Sequence, residues 1–218
     1  MKNYLNLEND KDYKKLKEPA KIIKNGGIVV FPTETVYGIG TNGLDENAVK
    51  NLYRVKKRPT SNPISLLVAN IEMIEMVAKD ITKEEYEIIK KFMPGPLTII
   101  LKKKDIVPDI LTANLDTVGV RMPENDIALN LIKYVGSPIA TSSANISGKQ
   151  SGTNIQNIIK EFRDNVDYYI DGGDSKIGKA STIVRIENGR PHILRYGSIS
   201  EEQIIHEMMV SYYSQSVD

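Results

Sequence analysis

Apolar residues along this chain fall into two alternating patterns: short unbroken runs, and longer stretches with a helical repeat. The segment Glu18 to Gly27 predicts a short helix, with Pro19 suited to its first turn and Gly26-Gly27 supplying a left-handed stop. The run Ile28 to Phe31 predicts a buried strand ended by Pro32. A helix opening near Asp45 places Ala48, Val49, Leu52 and Tyr53 on one face and runs through Lys56-Lys57-Arg58 to a stop at Pro59. Ile64 to Ala69 predicts another strand, and Thr82-Lys83-Glu84-Glu85 has the form of a capping box for a helix ended by Pro94-Gly95-Pro96. Further strands are expected at Leu97 to Leu101, Val118 to Met122 and Pro138 to Thr141, with helices around Ile127 to Tyr134 and Asn154 to Phe162. Thr182 to Ile186, Asn188-Gly189 and His192 to Arg195 predict a hairpin, because Asn-Gly fits a type I′ turn. Ser200-Glu201-Glu202-Gln203 caps a last helix that fades into a polar tail.

This alternation argues an α/β fold, and the late hairpin adds antiparallel pairing, so the expectation is a twisted open mixed sheet with surrounding helices. No repeat, low-complexity block or linker divides the 218 residues, which suggests one domain over residues 1–200 and a C-terminal helix and tail over 201–218. Cysteine is absent, which excludes a disulfide framework and a thiolate metal site. The charged N-terminus has no apolar core of a signal peptide, and the longest apolar runs are too short to span a bilayer. A cytoplasmic protein without a membrane partner is expected. Net charge is +1, from 29 Lys+Arg against 28 Asp+Glu. A chain this balanced must meet any anion with a local cluster of cations.

Four polar, small-residue stretches lie where strands end, the place where open α/β sheets bind ligands. Pro32 to Gly40 offers Thr33, Thr35 and Glu34, with Gly38 and Gly40 allowing close backbone approach. It is neither a Walker A loop nor a dinucleotide fingerprint, and a capped turn would use the same residues. Lys56 to Pro63 gathers three cations before a hydroxyl-and-amide segment. It is either a solvated helix end or, inside a cleft, a phosphate site. In Thr117 to Pro123 a single arginine, Arg121, alternates with apolar residues. Burying it requires an anion, either a structural carboxylate or a substrate carboxylate held in a bidentate fork. Thr141 to Gly148 brings hydroxyls and Asn145, suited to phosphate and ribose or to a serine-rich turn. His192 and His206 lack partners at metal-ligand spacing, so no protein-bound metal is expected.

Taken in order, PTETVYGIG, KKRPTSNP, MPGPLT, LDTVGVRMP, ATSSANISG, DGG, STIV and LRYG closely resemble the threonylcarbamoyl-AMP synthase family, whose members have a YrdC-like fold. The match runs from about Ala20 to Gly197. The resemblance implies a large central cavity and a reaction in which L-threonine, bicarbonate and ATP, with Mg²⁺, give threonylcarbamoyl-adenylate and pyrophosphate. A downstream threonylcarbamoyl-transferase complex would then modify tRNA. It further implies L-threonine contacts from Thr33, Thr35, Arg121, Thr141 and Ser181, with Arg121 on the carboxylate. Lys56 and Arg58 would be the catalytic cations. ATP would be held by these two with Asn62, Thr117, Ser143, Asn145, Ser151 and Arg195. Carbamate attack on the α-phosphorus needs charge neutralisation more than a strong base, so the lack of a histidine or cysteine catalyst is no objection.

One departure concerns Leu67, which stands where many relatives have histidine. Another is the short C-terminal end, which resembles the form without an added domain. Two other readings keep the fold: an RNA-binding module without chemistry, and a relative that handles carbamoyl-adenylate instead.

Overall fold

The computed structural model describes residues 3–214, so the end of the expected tail lies outside the described residues. In chain order the strands are β1 (Tyr4–Asn6), β2 (Val29–Phe31), β3 (Gly38–Asn42), β4 (Ser65–Leu67), β5 (Leu97–Lys102), β6 (Thr117–Arg121), β7 (Ile139–Ser143), β8 (Tyr168–Asp171), β9 (Thr182–Glu187) and β10 (Arg190–Arg195). The helices are α1 (Lys17–Lys24), α2 (Glu46–Lys56), α3 (Ile71–Val77), α4 (Lys83–Phe92), α5 (Asp126–Val135), α6 (Ile155–Phe162) and α7 (Glu201–Ser214). The strands form one open mixed sheet in the order β1-β8-β2-β3-β7-β4-β6-β5-β9-β10. Four pairs are parallel (β1 with β8, β2 with β8, β4 with β6, β5 with β9) and the other five antiparallel, as expected for a mixed sheet.

Local chemistry explains the element ends. Asp45 accepts from the backbone of Asn47 and Ala48 and so starts α2, while Lys57 ends it at φ 50, before Pro59 is reached. Both bonds of the Thr82–Glu85 capping box form at α4. Ser200 and Gln203 bond each other's backbone N–H at the start of α7. Asn188 and Gly189 both have positive φ in the β9–β10 turn, matching the type I′ expectation.

Four elements carry no expectation from sequence: β1, β3, α3 and β8. Of these β3 matters most, because it occupies the stretch read as a ligand-approaching loop. Its Gly40 lies against β7, where a Cβ would come within 2.8 Å of Ala140 O and of Thr141 Oγ1. That glycine serves strand packing, which corrects the ligand-approach reading for this position.

Register divides the sheet into two chemically distinct faces. Ile39, Ala140, Leu66, Val120, Ile99 and Val184 face one side, and all are fully buried against the helices. Gly38, Thr141, Ser65, Leu67, Arg121, Thr98 and Ile183 face the other, drawn from six neighbouring strands. That second face is the floor of a cavity. Among the described residues no helix is long and apolar enough to cross a membrane.

Candidate active site

A cavity of about 160 Å³ opens over the polar face of the sheet. Eight of the thirteen residues expected to contact substrate line it. Thr33 and Thr35 come from the β2–β3 loop, Thr141 and Ser143 from β7, and Ser181 from the residue before β9. The other three are Arg58, Arg121 and Arg195, and all three are cations.

Each guanidinium is held by the fold. Arg121 is 7% exposed; its Nε donates to Gly95 O at 3.2 Å and its Nη2 to Glu34 Oε1 at 2.6 Å. Of the two readings of this buried arginine, the structural carboxylate is therefore present, while the arginine still lines the cavity. Arg58 donates from Nε to Asn62 O at 3.0 Å and from Nη2 to Pro63 O at 2.8 Å. Arg195 donates from Nε to Ser181 O at 3.0 Å and from Nη2 to Ser181 Oγ at 2.9 Å. The Ser181 hydroxyl also bonds the Thr98 hydroxyl at 2.8 Å, across the parallel β5–β9 pair. The hydroxyls of Thr33 and Thr35 lie 2.9 Å apart, and Thr33 donates to Val36 O.

Burial pushes all three arginines below their ordinary pKa, and for Arg195 the charges of Arg121 and Arg58 add to that push. Glu34 acts in the opposite sense on Arg121. Arginine stays protonated regardless. The site therefore sets three fixed positive charges against one carboxylate, and an entering anion would relieve their repulsion.

Five expected residues do not reach this cavity. Lys56, expected at the phosphates, is 1% exposed behind its wall; its ammonium donates to Ser143 O and to Asn145 O. Burial first, then the Arg58 charge, lowers its pKa to about 7. Asn62 contributes its backbone carbonyl, which takes Arg58 Nε and the Tyr53 hydroxyl. Thr117 starts β6, four residues and so about 13 Å along the strand from Arg121. Asn145 bonds the carbonyls of Ile146 and Lys149 through Nδ2, and its buried Oδ1 has no partner among the described residues. Ser151 sits half-buried in the loop after β7, beside Gly152, whose carbonyl takes Tyr37 N.

Thr98, Ser65 and Tyr37 carry no expected role from sequence, and Glu34 is expected only as a carboxylate of its stretch, with no partner or substrate contact. Thr98 lies within the quoted MPGPLT string and Glu34 within PTET, so both were visible as residues but not as site members. Ser65 shares its face with Leu67, two residues on, and both line the cavity. Tyr37 also lines it; its hydroxyl donates to Gly173 O at 2.7 Å and lies 3.2 Å from Asp171 Oδ1, which ties the DGG segment to the site. Among the described residues no group of three His, Cys, Asp or Glu side chains is placed to hold a metal ion.

Comparison with known proteins supplies the remaining findings. The family model Sua5/YciO/YrdC, described as "Telomere recombination", matches residues 21–197. Threonylcarbamoyl-AMP synthase of Pyrococcus abyssi is 44% identical over 209 residues, covering 94% of this chain and 62% of that protein. A putative threonylcarbamoyl-AMP synthase of Methanocaldococcus jannaschii is 43% identical, covering 90% of this chain and 92% of that one. The crystal structure of P. abyssi Sua5 complexed with L-threonine superposes with a TM-score of 0.91 at 43% identity, covering 94% of this chain and 60% of that one. The chain thus spans about three-fifths of the length of the Pyrococcus protein.

Proposed function

Because this chain belongs to the Sua5/YciO/YrdC family, we propose that it forms threonylcarbamoyl-adenylate and pyrophosphate from L-threonine, bicarbonate and ATP. The adenylate would feed threonylcarbamoyladenosine modification of tRNA through a transferase complex, and the protein would then act in the cytoplasm. One observation carries the reading. Three guanidiniums converge with paired hydroxyls on one cavity, in a chain 43% identical to a protein crystallised with L-threonine.

The chemistry asks for what this cavity has. Carboxylation of the threonine amine gives a carbamate; its oxygen attacks the α-phosphorus, and the bond to pyrophosphate breaks. Both partners are anions, so the barrier falls when fixed positive charge faces them and water is excluded. Arg121 would take the threonine carboxylate in a fork, with Thr33, Thr35, Thr141 and Ser181 around the rest of the amino acid. Arg58 and Arg195 would meet the nucleotide phosphates, with Ser143 beside them. Lys56 enters as the brace of the turn from Ser143 to Asn145, whose carbonyls it holds. Mg²⁺ would arrive on the triphosphate and supply further charge neutralisation. Glu34 meets a cavity arginine through Oε1, and among the described residues no group of three metal-ligating side chains forms, which suits an ion held mainly by phosphate oxygens.

The test is pyrophosphate release by purified protein with ATP, Mg²⁺ and bicarbonate, with and without L-threonine. Release that requires both threonine and bicarbonate is the expected result. Release indifferent to threonine would replace the reading with a carbamoyl-type acceptor. No release, together with a salt-dependent shift of RNA, would replace it with a binding module.

A further inference from the structure

We propose that Glu34 is a positioning residue: it fixes the guanidinium plane of Arg121 and thereby sets the affinity of the site for the carboxylate of its amino-acid substrate. The inference rests on the function proposed above and assigns a residue to it that sequence reading left without a partner or substrate contact.

Geometry supplies the first argument. Arg121 is gripped on two sides, at Nε by Gly95 O and at Nη2 by Glu34 Oε1. Two such contacts fix the rotation of a planar group, and the N–H groups left over are those that can face the cavity. A carboxylate is bound in a bidentate fork only if that plane is preset, since each donor must meet its own oxygen.

Glu34 is itself anchored. Its carbonyl accepts from Ile177 N at 2.9 Å, and the neighbouring Thr35 carbonyl accepts from Gly178 N at 2.8 Å. The glutamate therefore ties Arg121 to the segment after β8, which continues into Ala180 and Ser181 on the cavity wall.

Energetics supplies the second argument. Glu34 is 6% exposed, and its Oε2 is buried with no partner among the described residues. A half-satisfied buried carboxylate is costly, and a hydrophobic pair of the same volume would serve stability as well or better. Such a group calls for an explanation beyond stability. Holding one of three mutually repelling guanidiniums in a fixed orientation is one that the contacts themselves describe.

The test measures steady-state KM for threonine and for ATP in pyrophosphate release, with each variant's melting temperature as the check on folding. Glu34→Ala removes the grip but leaves a buried cation short of a partner. Glu34→Asp accompanies it, keeping the charge while withdrawing its reach. Loss of one charge-assisted contact predicts a threonine KM raised roughly 10- to 100-fold in both, with the ATP KM within about twofold. Glu34→Gln, of equal length and with an acceptor oxygen, should hold the threonine KM within about threefold of wild type. An unchanged threonine KM in a folded Ala or Asp variant overturns the proposal. So does a parallel rise of both KM values, which is the mark of general loosening. Wild-type protein that releases no pyrophosphate in response to threonine overturns the assigned reaction, and this role with it.

Discussion

Gly197, in the LRYG string after β10, is the glycine at which an added Cβ would meet its neighbours most closely. A Cβ added there would lie 2.2 Å from Thr182 N, 2.3 Å from Ser181 C and 2.5 Å from Ala180 O, all backbone atoms. Carbon and nitrogen need well over 3 Å, so Gly197→Ala must push the two segments apart by about 1 Å or more. Backbone cannot step aside as a side-chain tip can. Separation also strains the bonds of the fully buried Thr182 hydroxyl, because Thr182 Oγ1 accepts from Gly197 N at 3.1 Å and from Ile199 N at 3.0 Å while donating to Ile199 O at 2.6 Å. Overpacking of this kind costs about 1–3 kcal/mol, and weakening one or two of these hydrogen bonds about 1 each, for a total near 2–5 kcal/mol. In a chain of 218 residues that lowers the melting temperature by roughly 5–15 °C.

The functional consequence is larger than the stability loss. Ser181 and Arg195 flank the strained contact, and each lines the cavity. Their bonds to each other, 2.9–3.0 Å, run across the gap that must open. Displacement of a binding group by about 1 Å commonly costs on the order of a hundredfold in rate. Differential scanning fluorimetry and pyrophosphate release on Gly197→Ala give the two readings. Gly189→Ala is the control, a turn glycine at φ +71 with nothing within 4 Å of its Cβ, expected to lose only about 1–2 kcal/mol from backbone strain and to keep its activity. A Gly197→Ala protein that melts within about 2 °C of wild type and turns over normally would refute the close-packing argument.

Arg121→Ala should abolish calorimetric binding of L-threonine and, by leaving Glu34 buried without its cation, cost about 3–5 kcal/mol in urea unfolding; Arg121→Met with Glu34→Gln should recover most of the stability but none of the binding. Lys56 gives a pH test. Its pKa is lowered by burial to about 7, so between there and the ordinary lysine range the unfolded chain holds a proton that the folded chain lacks. Stability should accordingly rise as pH increases through that window, by at most about 5 kcal/mol, and Lys56→Met should flatten the rise in unfolding measured from pH 6.5 to 10. A slope identical in the variant would show that other groups set it.

What could be read from sequence was what local chemistry dictates. The Thr82 box, the Asn188-Gly189 turn and the Asp45 cap depend on residues within a few positions of one another, and all three form as expected. The floor of the cavity depends on register instead. Thr98, Arg121, Leu67 and Thr141 share one face because β5, β6, β4 and β7 pair with particular offsets, and no short-range pattern specifies those offsets. Strand β3 escaped notice for a related reason. Its glycines look like a loop in isolation, and only the approach of β7 explains why a side chain is forbidden at Gly40. The contact between Glu34 and Arg121 spans 87 positions, so a carboxylate and an arginine that were each noted separately could not be recognised as a pair.

Lys56 is the opposite case, a signal present in the local pattern and overridden by composition. On α2 the buried positions are Ala48, Val49, Leu52, Tyr53 and Lys56, so the lysine continues the apolar stripe at the next helical step. The neighbouring Lys57 and Arg58 make it look like part of one cationic cluster facing an anion. Helical spacing separates the three. Lys56 turns inward to two carbonyls, Lys57 ends the helix in the left-handed region, and Arg58 alone of this run lines the cavity. A lysine on an apolar stripe can be buried only if its ammonium finds acceptors, and the turn after β7 supplies them with the carbonyls of Ser143 and Asn145. The charge cluster of the sequence thus divides into one cavity-lining cation and one internal brace. Its helical phase, more than its charge, decides which residue does which.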